Sequence, residues 1–262
     1  MSEILNHLVK GEGRSLALLL IHPLGAELSF WDDFVEKIGD RFTTVACDLR
    51  SSGKSFGTGA PPSLADHAAD LEALRLDVGV KNVVPIGCAV GSMIAAAYAG
   101  SYPSSTAALI LANPTPSSSP QARLVLTERA AVVARHGMTA ILPAAVERAF
   151  FNQPKDARYE RYYCKFEAQN ARAYALSTLG AANADATEFL KTVRCPALLM
   201  AGRHDVLLPL DNARAVHALL PQSEFVIAEH AAHFVPFQSP ECFAETACQW
   251  LCRKIKDDVE SA

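Results

Sequence analysis

Half of the 262 residues are hydrophobic, yet the chain has no apolar run near the roughly 18 to 20 residues needed to span a bilayer. Its first residues, Met1-Ser2-Glu3-Ile4, have no basic stretch leading into an apolar one, so a soluble, cytoplasmic protein is expected. Basic excess is also missing. The net charge is −4, and a nucleic-acid partner would need a basic footprint. A disulfide framework is missing too, because the seven cysteines (47, 88, 164, 195, 242, 248 and 252) are odd in number, scattered and mostly within apolar segments, which suits reduced thiols. Cys248 and Cys252 stand one helical turn apart, but no other Cys or His cluster completes a zinc site, and no metal or cofactor is expected. No internal repeat appears, and only the last ten residues read as a frayed polar tail.

One further absence is a single hydroxyl. Gly87-Cys88-Ala89-Val90-Gly91 matches the nucleophile elbow Gly-x-Ser-x-Gly except that alanine stands at its apex. The context the motif demands is present: a β-branched run, Asn82 to Ile86, leads in, and the helix-forming Ser92 to Ala99 leads out. The glycines have a mechanical reason, since only residues without Cβ let strand and helix close so tightly around the apex.

Around the elbow, strand and helix signals alternate. Leu16 to Ile21 is a continuous apolar run closed by His22-Pro23-Leu24-Gly25, as in a strand buried on both faces. A helix over about Phe30 to Ile38 carries Trp31, Phe34, Val35 and Ile38 at helical spacing, and a strand over Thr43 to Cys47 runs into a Gly/Ser-rich loop, 48–55. Leu64, Ala68, Leu71, Leu74 and Val78 mark the next helix. Ala107 to Ala112 is a further strand, followed by the loop Asn113 to Pro120. From there to about Leu190 only helical segments are expected, one ended by Gly137 and one broken by Pro143. Strands resume at Pro196 to Met200 and Glu224 to Ile227, and Ser239-Pro240-Glu241 opens a closing helix. This order predicts an α/β fold, a mostly parallel sheet with helices on both faces. Residues 1–116 and 191–262 would form the core and 117–190 an inserted helical cap.

After such an elbow the acid and the base come in that order, each in a loop at the carboxyl end of a late strand. Ala201-Gly202-Arg203-His204-Asp205 and Glu229-His230-Ala231-Ala232-His233-Phe234 are those loops. Asp205 is expected to be the acid that fixes the tautomer and His233 the base. Asp205 could instead cap a helix, for which Asp211 is the better candidate. His230 competes with His233 as the base, and His233 is favoured because it sits closer to the last helix. Asp48 precedes the elbow and is expected to stabilise its loop, while Asn113 occupies the other common place for the acid. An oxyanion hole requires two backbone N–H groups. Val90, after the apex, is one, and because Pro23 has no N–H, Leu24 is the other.

On these residues the chain resembles the α/β-hydrolase superfamily over nearly its whole length. Within it, His22 to Asp32, Asp48 to Ser55, His136-Gly137-Met138, Ala201 to Asp205 and Ala232-His233-Phe234 resemble the 3-oxoadipate enol-lactonase group. The departures are Ser51 for the usual glycine, Ser52 for the expected histidine or tyrosine, and Cys88 for His or Leu. Cys88 as nucleophile is disfavoured, because one position before the apex its side chain points away. The resemblance implies a serine hydrolase of small esters, lactones or related carbonyl compounds, here with serine replaced by alanine and so nearly inactive. Its rivals are a cofactor-free His/Asp lyase or oxygenase and a non-catalytic ligand-binding protein. Residues 117–190 hold nine Lys and Arg against seven Asp and Glu, a positive lid suited to an anionic substrate. Tyr159, Tyr162, Tyr163 and Phe166 form an aromatic stripe expected mainly to pack that lid onto the body.

Overall fold

The continuous apolar runs become strands covered on both faces. The computed structural model describes residues 4–13, 15–55, 57 and 59–255; Met1 to Glu3 and the end of the polar tail, 256–262, lie outside them. One sheet holds β1 (His7–Lys10), β2 (Leu16–Ile21), β3 (Thr43–Cys47), β4 (Asn82–Cys88), β5 (Leu109–Ala112), β6 (Ala197–Gly202) and β7 (Glu224–Ala228), in the order β1-β3-β2-β4-β5-β6-β7. Every pairing is parallel except β1 with β3. β1 was not anticipated. It is a four-residue edge strand with alternate residues exposed, too short and too polar to announce itself.

Side chains of a strand alternate between faces, and here they supply two cores. Leu16, Leu18, Leu20, Val84, Ile86, Ile110, Leu198 and Met200 meet α1 (Asp32–Ile38) and α11 (Pro240–Lys254). Ala17, Leu19, Ile21, Val83, Leu109, Leu111 and Leu199 meet α2 (Leu64–Val78) and α3 (Val90–Ser101). A capping box between Ser63 and Asp66 starts α2, and left-handed Gly79 ends it.

Between β5 and β6 lie α4 (Pro120–His136), α5 (Ala144–Ala149), α6 (Ala157–Glu167), α7 (Ala171–Ala182) and α8 (Thr187–Thr192). Gly137 ends α4 as expected, but Pro143 stands before the first turn of α5 rather than breaking a helix, which is where a fixed φ and a missing N–H cost least. The remaining helices are α9 (Leu210–Leu219), opened after Pro209, and α10 (Val235–Gln238). Asp211 does not cap α9; it lies in the first turn and pairs with Arg214.

The strand order reverses between β2 and β4, since the chain passes from β2 to β3 on one side and returns to β4 on the other. In open parallel sheets the crevice outside the carboxyl ends at such a reversal is where ligands bind. The loop after β2 and the elbow after β4 both open there.

Candidate active site

Ala89 follows β4 directly and stands at φ 52°, ψ −115°, before the first turn of α3. Residues other than glycine rarely occupy this region, at a cost of about 1 to 3 kcal/mol. The turn is closed by its glycines: a Cβ on Gly87 would overlap the Gly91 carbonyl, and one on Gly91 would overlap the carbonyl of Ile21 and lie 2.7 Å from that of His22. The amino end of α3 is therefore seated against the end of β2. The neighbouring side chains offer no substitute nucleophile. Ser92 Oγ donates to the Ala89 carbonyl at 2.6 Å. Cys88 is buried, its Sγ 3.8 Å from the His233 carbonyl, and burial pushes its thiol well above the ordinary range.

Asp205 and His233 come together from the loops after β6 and β7. His233 Nδ1 lies 3.0 Å from Asp205 Oδ2 and 3.1 Å from Oδ1. Facing a carboxylate, Nδ1 must carry the proton. Nε2 then has its lone pair free and no hydrogen-bond partner among the described residues. The Asp205 side chain is wholly buried while that of His233 is 12% exposed. Burial alone would push the Asp205 carboxyl up, but the charge and hydrogen bond of His233, with the N–H groups of Leu208 and Leu207, outweigh it and hold the carboxyl below its usual range. Asp205 thus accepts from two N–H groups as a helix cap would, at 2.9 and 2.8 Å, yet no helix begins there. His230 is exposed and is not the histidine facing Asp205.

Two side-chain amides that the motifs did not reveal, buried Asn113 and half-buried Gln238, hold this arrangement. Asn113, left-handed at φ 48°, donates through Nδ2 to Asp205 Oδ2 at 2.9 Å and to the Ala232 carbonyl at 2.8 Å, and accepts through Oδ1 from Val235 N–H at 3.1 Å. It stands where the alternative acid was considered and acts on Asp205 instead. Gln238 Oε1 accepts from the N–H groups of Ala232 and Phe234 on either side of His233, and its Nε2 donates to the Ala149 carbonyl of α5.

The loop after β2 is equally fixed. Buried His22 accepts the Leu49 N–H through Nε2 at 2.9 Å and donates through Nδ1 to the Pro23 carbonyl at 2.8 Å, and burial lowers its pKa. Asp48 accepts from Leu28 N–H, Lys54 N–H and Asn6 Nδ2, so it stabilises its loop as expected. The Leu24 and Val90 N–H groups have no acceptor among the described residues. They flank the packed junction of Gly91 with Ile21 and His22.

Above the elbow, Tyr159, Tyr162 and Phe166 of α6 and Tyr174 of α7 belong to the same apolar cluster as Ala89, Phe30, Phe234 and Phe237. The Tyr162 ring lies 4.9 Å from Phe234. Most of the aromatic stripe packs α6 onto the body, and Tyr163 is only half-buried. Tyr162 also lines a cleft between α6 and residues 25–32. Across that cleft Arg161 pairs with Asp33 at 2.5 Å and Lys165 pairs with Glu27. Among the described residues no group of three or more His, Cys, Asp or Glu could hold a metal ion, and no helix is long and apolar enough to cross a membrane.

A parallel sheet with an elbow after one strand and a carboxylate and imidazole after two later ones is the arrangement of the α/β hydrolases. Residues 17–240 match that fold family, and the chain belongs to it. RutD of Escherichia coli O9:H4 (strain HS), provisionally named a carbamate hydrolase, is 26% identical over 236 residues, 86% of this chain and 87% of its own length. A malate-bound thermophilic esterase of Thermogutta terrifontis is 28% identical, covers 95% of this chain and 93% of its own, and superposes with a TM-score of 0.86. The enol-lactonase of Burkholderia xenovorans LB400, at 20% identity, 94% and 96% coverage and a TM-score of 0.88, shares the fold.

Proposed function

We propose that this hydrolase scaffold carries a serine-hydrolase site in which Ala89 holds the nucleophile position, Asp205 is the acid, His233 the base, and the Leu24 and Val90 N–H groups the oxyanion hole. Residues 1–116 with 191–262 form its core and 117–190 the cap over the site. The carrying observation is the His233 Nδ1–H on a buried Asp205 carboxylate, 3.0 Å away, which leaves Nε2 as a base without a partner among the described residues. The substrate is a small ester, lactone or related carbonyl compound, with enol-lactones and ring-fission products of aromatic degradation in its range. The names of the relatives, an esterase and a carbamate hydrolase, support that reaction class.

With a hydroxyl at position 89, Nε2 takes its proton as Oγ attacks the carbonyl carbon. Negative charge develops on the carbonyl oxygen between the two N–H groups. The imidazolium, stabilised by Asp205, returns the proton to the leaving group, and water then repeats the sequence on the acyl intermediate. Alanine removes the attacking atom and keeps the rest. In subtilisin, losing that serine costs about 10⁶ in turnover, or about 8 kcal/mol of transition-state stabilisation. The chain therefore binds substrate and turns it over barely at all.

The missing hydroxyl itself favours a second reading, in which the His233–Asp205 pair acts without a nucleophile or the pocket only binds. A panel of activated aryl esters and enol-lactones separates them. The first reading expects Ala89→Ser to hydrolyse members of the panel and the alanine chain to bind them intact. Conversion by the alanine chain through His233, with no hydrolysis by a folded Ala89→Ser variant, would install the second.

A further inference from the structure

The cap carries one cation that none of the described residues answers. The inward residues of α4 recur three and four apart: Ala122, Val125 and Leu126 are half-buried and Ala130 and Val133 buried, and half-buried Arg129 lies in that stripe. Of the nine Lys and Arg in 117–190, four are paired with carboxylates and four more are exposed. Arg129 is left, the one that is neither exposed nor paired among the described residues. A partly desolvated guanidinium is costly to hold without an anion or water beside it.

Two phenols stand with it. Arg129 lies one helical turn before Val133, which shares one apolar cluster with Ala89, Tyr162 and Tyr174, and the Phe166 ring joins the two phenols, 6.0 Å from the Tyr162 ring and 5.4 Å from that of Tyr174. Neither the Tyr162 nor the Tyr174 hydroxyl has a hydrogen-bond partner among the described residues, and the Tyr174 oxygen is fully buried in a residue only 2% exposed. The Tyr174 ring is 3.1 Å from the place a Cβ on Gly25 would take, one residue beyond Leu24. Tyr162 packs on Phe234, next to His233. Helices α4, α6 and α7 thus bring one cation and two unsatisfied O–H donors toward the elbow.

We propose that Arg129, Tyr162 and Tyr174 form a cap subsite that binds a carboxylate of the substrate, remote from its scissile carbonyl. A carboxylate can accept two parallel N–H bonds from one guanidinium and still has lone pairs for both hydroxyls. The inference rests on the hydrolase reading of the same pocket and names its substrates as acid-bearing esters or lactones. The other cap cations at the cleft, Arg161 and Lys165, are already neutralised by Asp33 and Glu27.

The full alanine-bearing chain allows a binding test without turnover. Calorimetric titration with monomethyl glutarate, which carries one carboxylate, and with dimethyl glutarate, which carries none, should give at least about tenfold tighter binding of the half-ester. Arg129→Gln should abolish that preference while leaving the diester unchanged, Arg129→Lys should keep part of it, and Tyr174→Phe should weaken the half-ester alone. A merely structural role would weaken both ligands together and lower the thermal midpoint. A half-ester bound no more tightly than the diester, a preference surviving Arg129→Gln, or no binding of either at millimolar concentration overturns the subsite. Hydrolysis of a neutral aryl ester by Ala89→Ser reports separately on the reaction, so either idea can fail while the other stands.

Discussion

Replacing Asn113 by alanine would remove a side chain that ties the loop after β5 to Asp205 and to the segment that carries His233. The change strips a hydrogen bond from Asp205 Oδ2, from the Ala232 carbonyl and from Val235 N–H, at a position 1% exposed. Leaving a buried polar group unsatisfied costs about 1 to 3 kcal/mol. Asp205 keeps other donors, so two of the three groups bear most of the loss, and alanine at φ 48° adds about 1 kcal/mol. The expected destabilisation is about 3 to 7 kcal/mol, a large share of the roughly 5 to 15 kcal/mol that holds a typical domain. Asn113→Asp keeps the shape but turns an oxygen toward the Asp205 carboxylate and the Ala232 carbonyl, so the new carboxyl is held above its usual range in the folded state. The folded state then binds more protons than the unfolded one, and stability falls as pH rises from about 4. Equilibrium urea unfolding at pH 5 and pH 8 reads both effects. A loss below about 1 kcal/mol for Asn113→Ala, or an Asn113→Asp penalty equal at both pH values, would refute the reasoning.

Buried His67, whose Nδ1 is unsatisfied among the described residues, has its pKa lowered by burial from 6.5 to about 4. The unfolded chain binds the extra proton between those values, so stability is complete above pH 6.5 and falls by about 3 kcal/mol toward pH 4. His67→Leu should flatten that part of the curve, and parallel curves would exclude His67 as its source. In a serine-bearing chain, His233→Ala should lower ester turnover by on the order of 10⁴ to 10⁶ and His230→Ala should change it little; the opposite ranking moves the base to His230. Gly202→Ala places a Cβ into the Ala232 carbonyl, and thermal unfolding should record a loss of about 1 to 3 kcal/mol; an unchanged midpoint would mean that the His233 loop yields freely.

The legible parts of the fold were those in which one segment meets the same environment along its length. β2 and β4 are buried on both faces, so their residues form continuous apolar runs. Gly87 and Gly91 are required by backbone contacts within a few residues of the apex or with the adjoining strand, and they left a motif. Asn113 and Gln238 did not, because an amide discloses its purpose only when loops far apart in the chain meet: the Asn113–Asp205 bond spans 92 positions and Asn113–Val235 spans 122. The cations of residues 117–190 mislead for the same reason. Their excess over acids was visible in the sequence, but the pairing of Arg161 with Asp33 and of Lys165 with Glu27 leaves half-buried Arg129 unanswered among the described residues, and no count could single it out. Asp211 shows local pattern failing, since Pro209 and the bonds of Asp205 to Leu207 and Leu208 shape the approach to α9.

The nucleophile position can be tested by covalent capture. An aryl phosphonate fluoride offers phosphorus to an activated oxygen, forming an O–P bond as fluoride leaves with the charge and the base takes the proton. Treated Ala89→Ser protein, digested and weighed by mass spectrometry, should carry one phosphonyl group on the peptide containing residue 89. The adduct should be lost when His233→Ala is added, and the alanine chain should remain unlabelled. A folded Ala89→Ser chain that takes up no label at residue 89, or an alanine chain labelled elsewhere in the pocket at the same rate, would contradict the assignment of Ala89 as the nucleophile position.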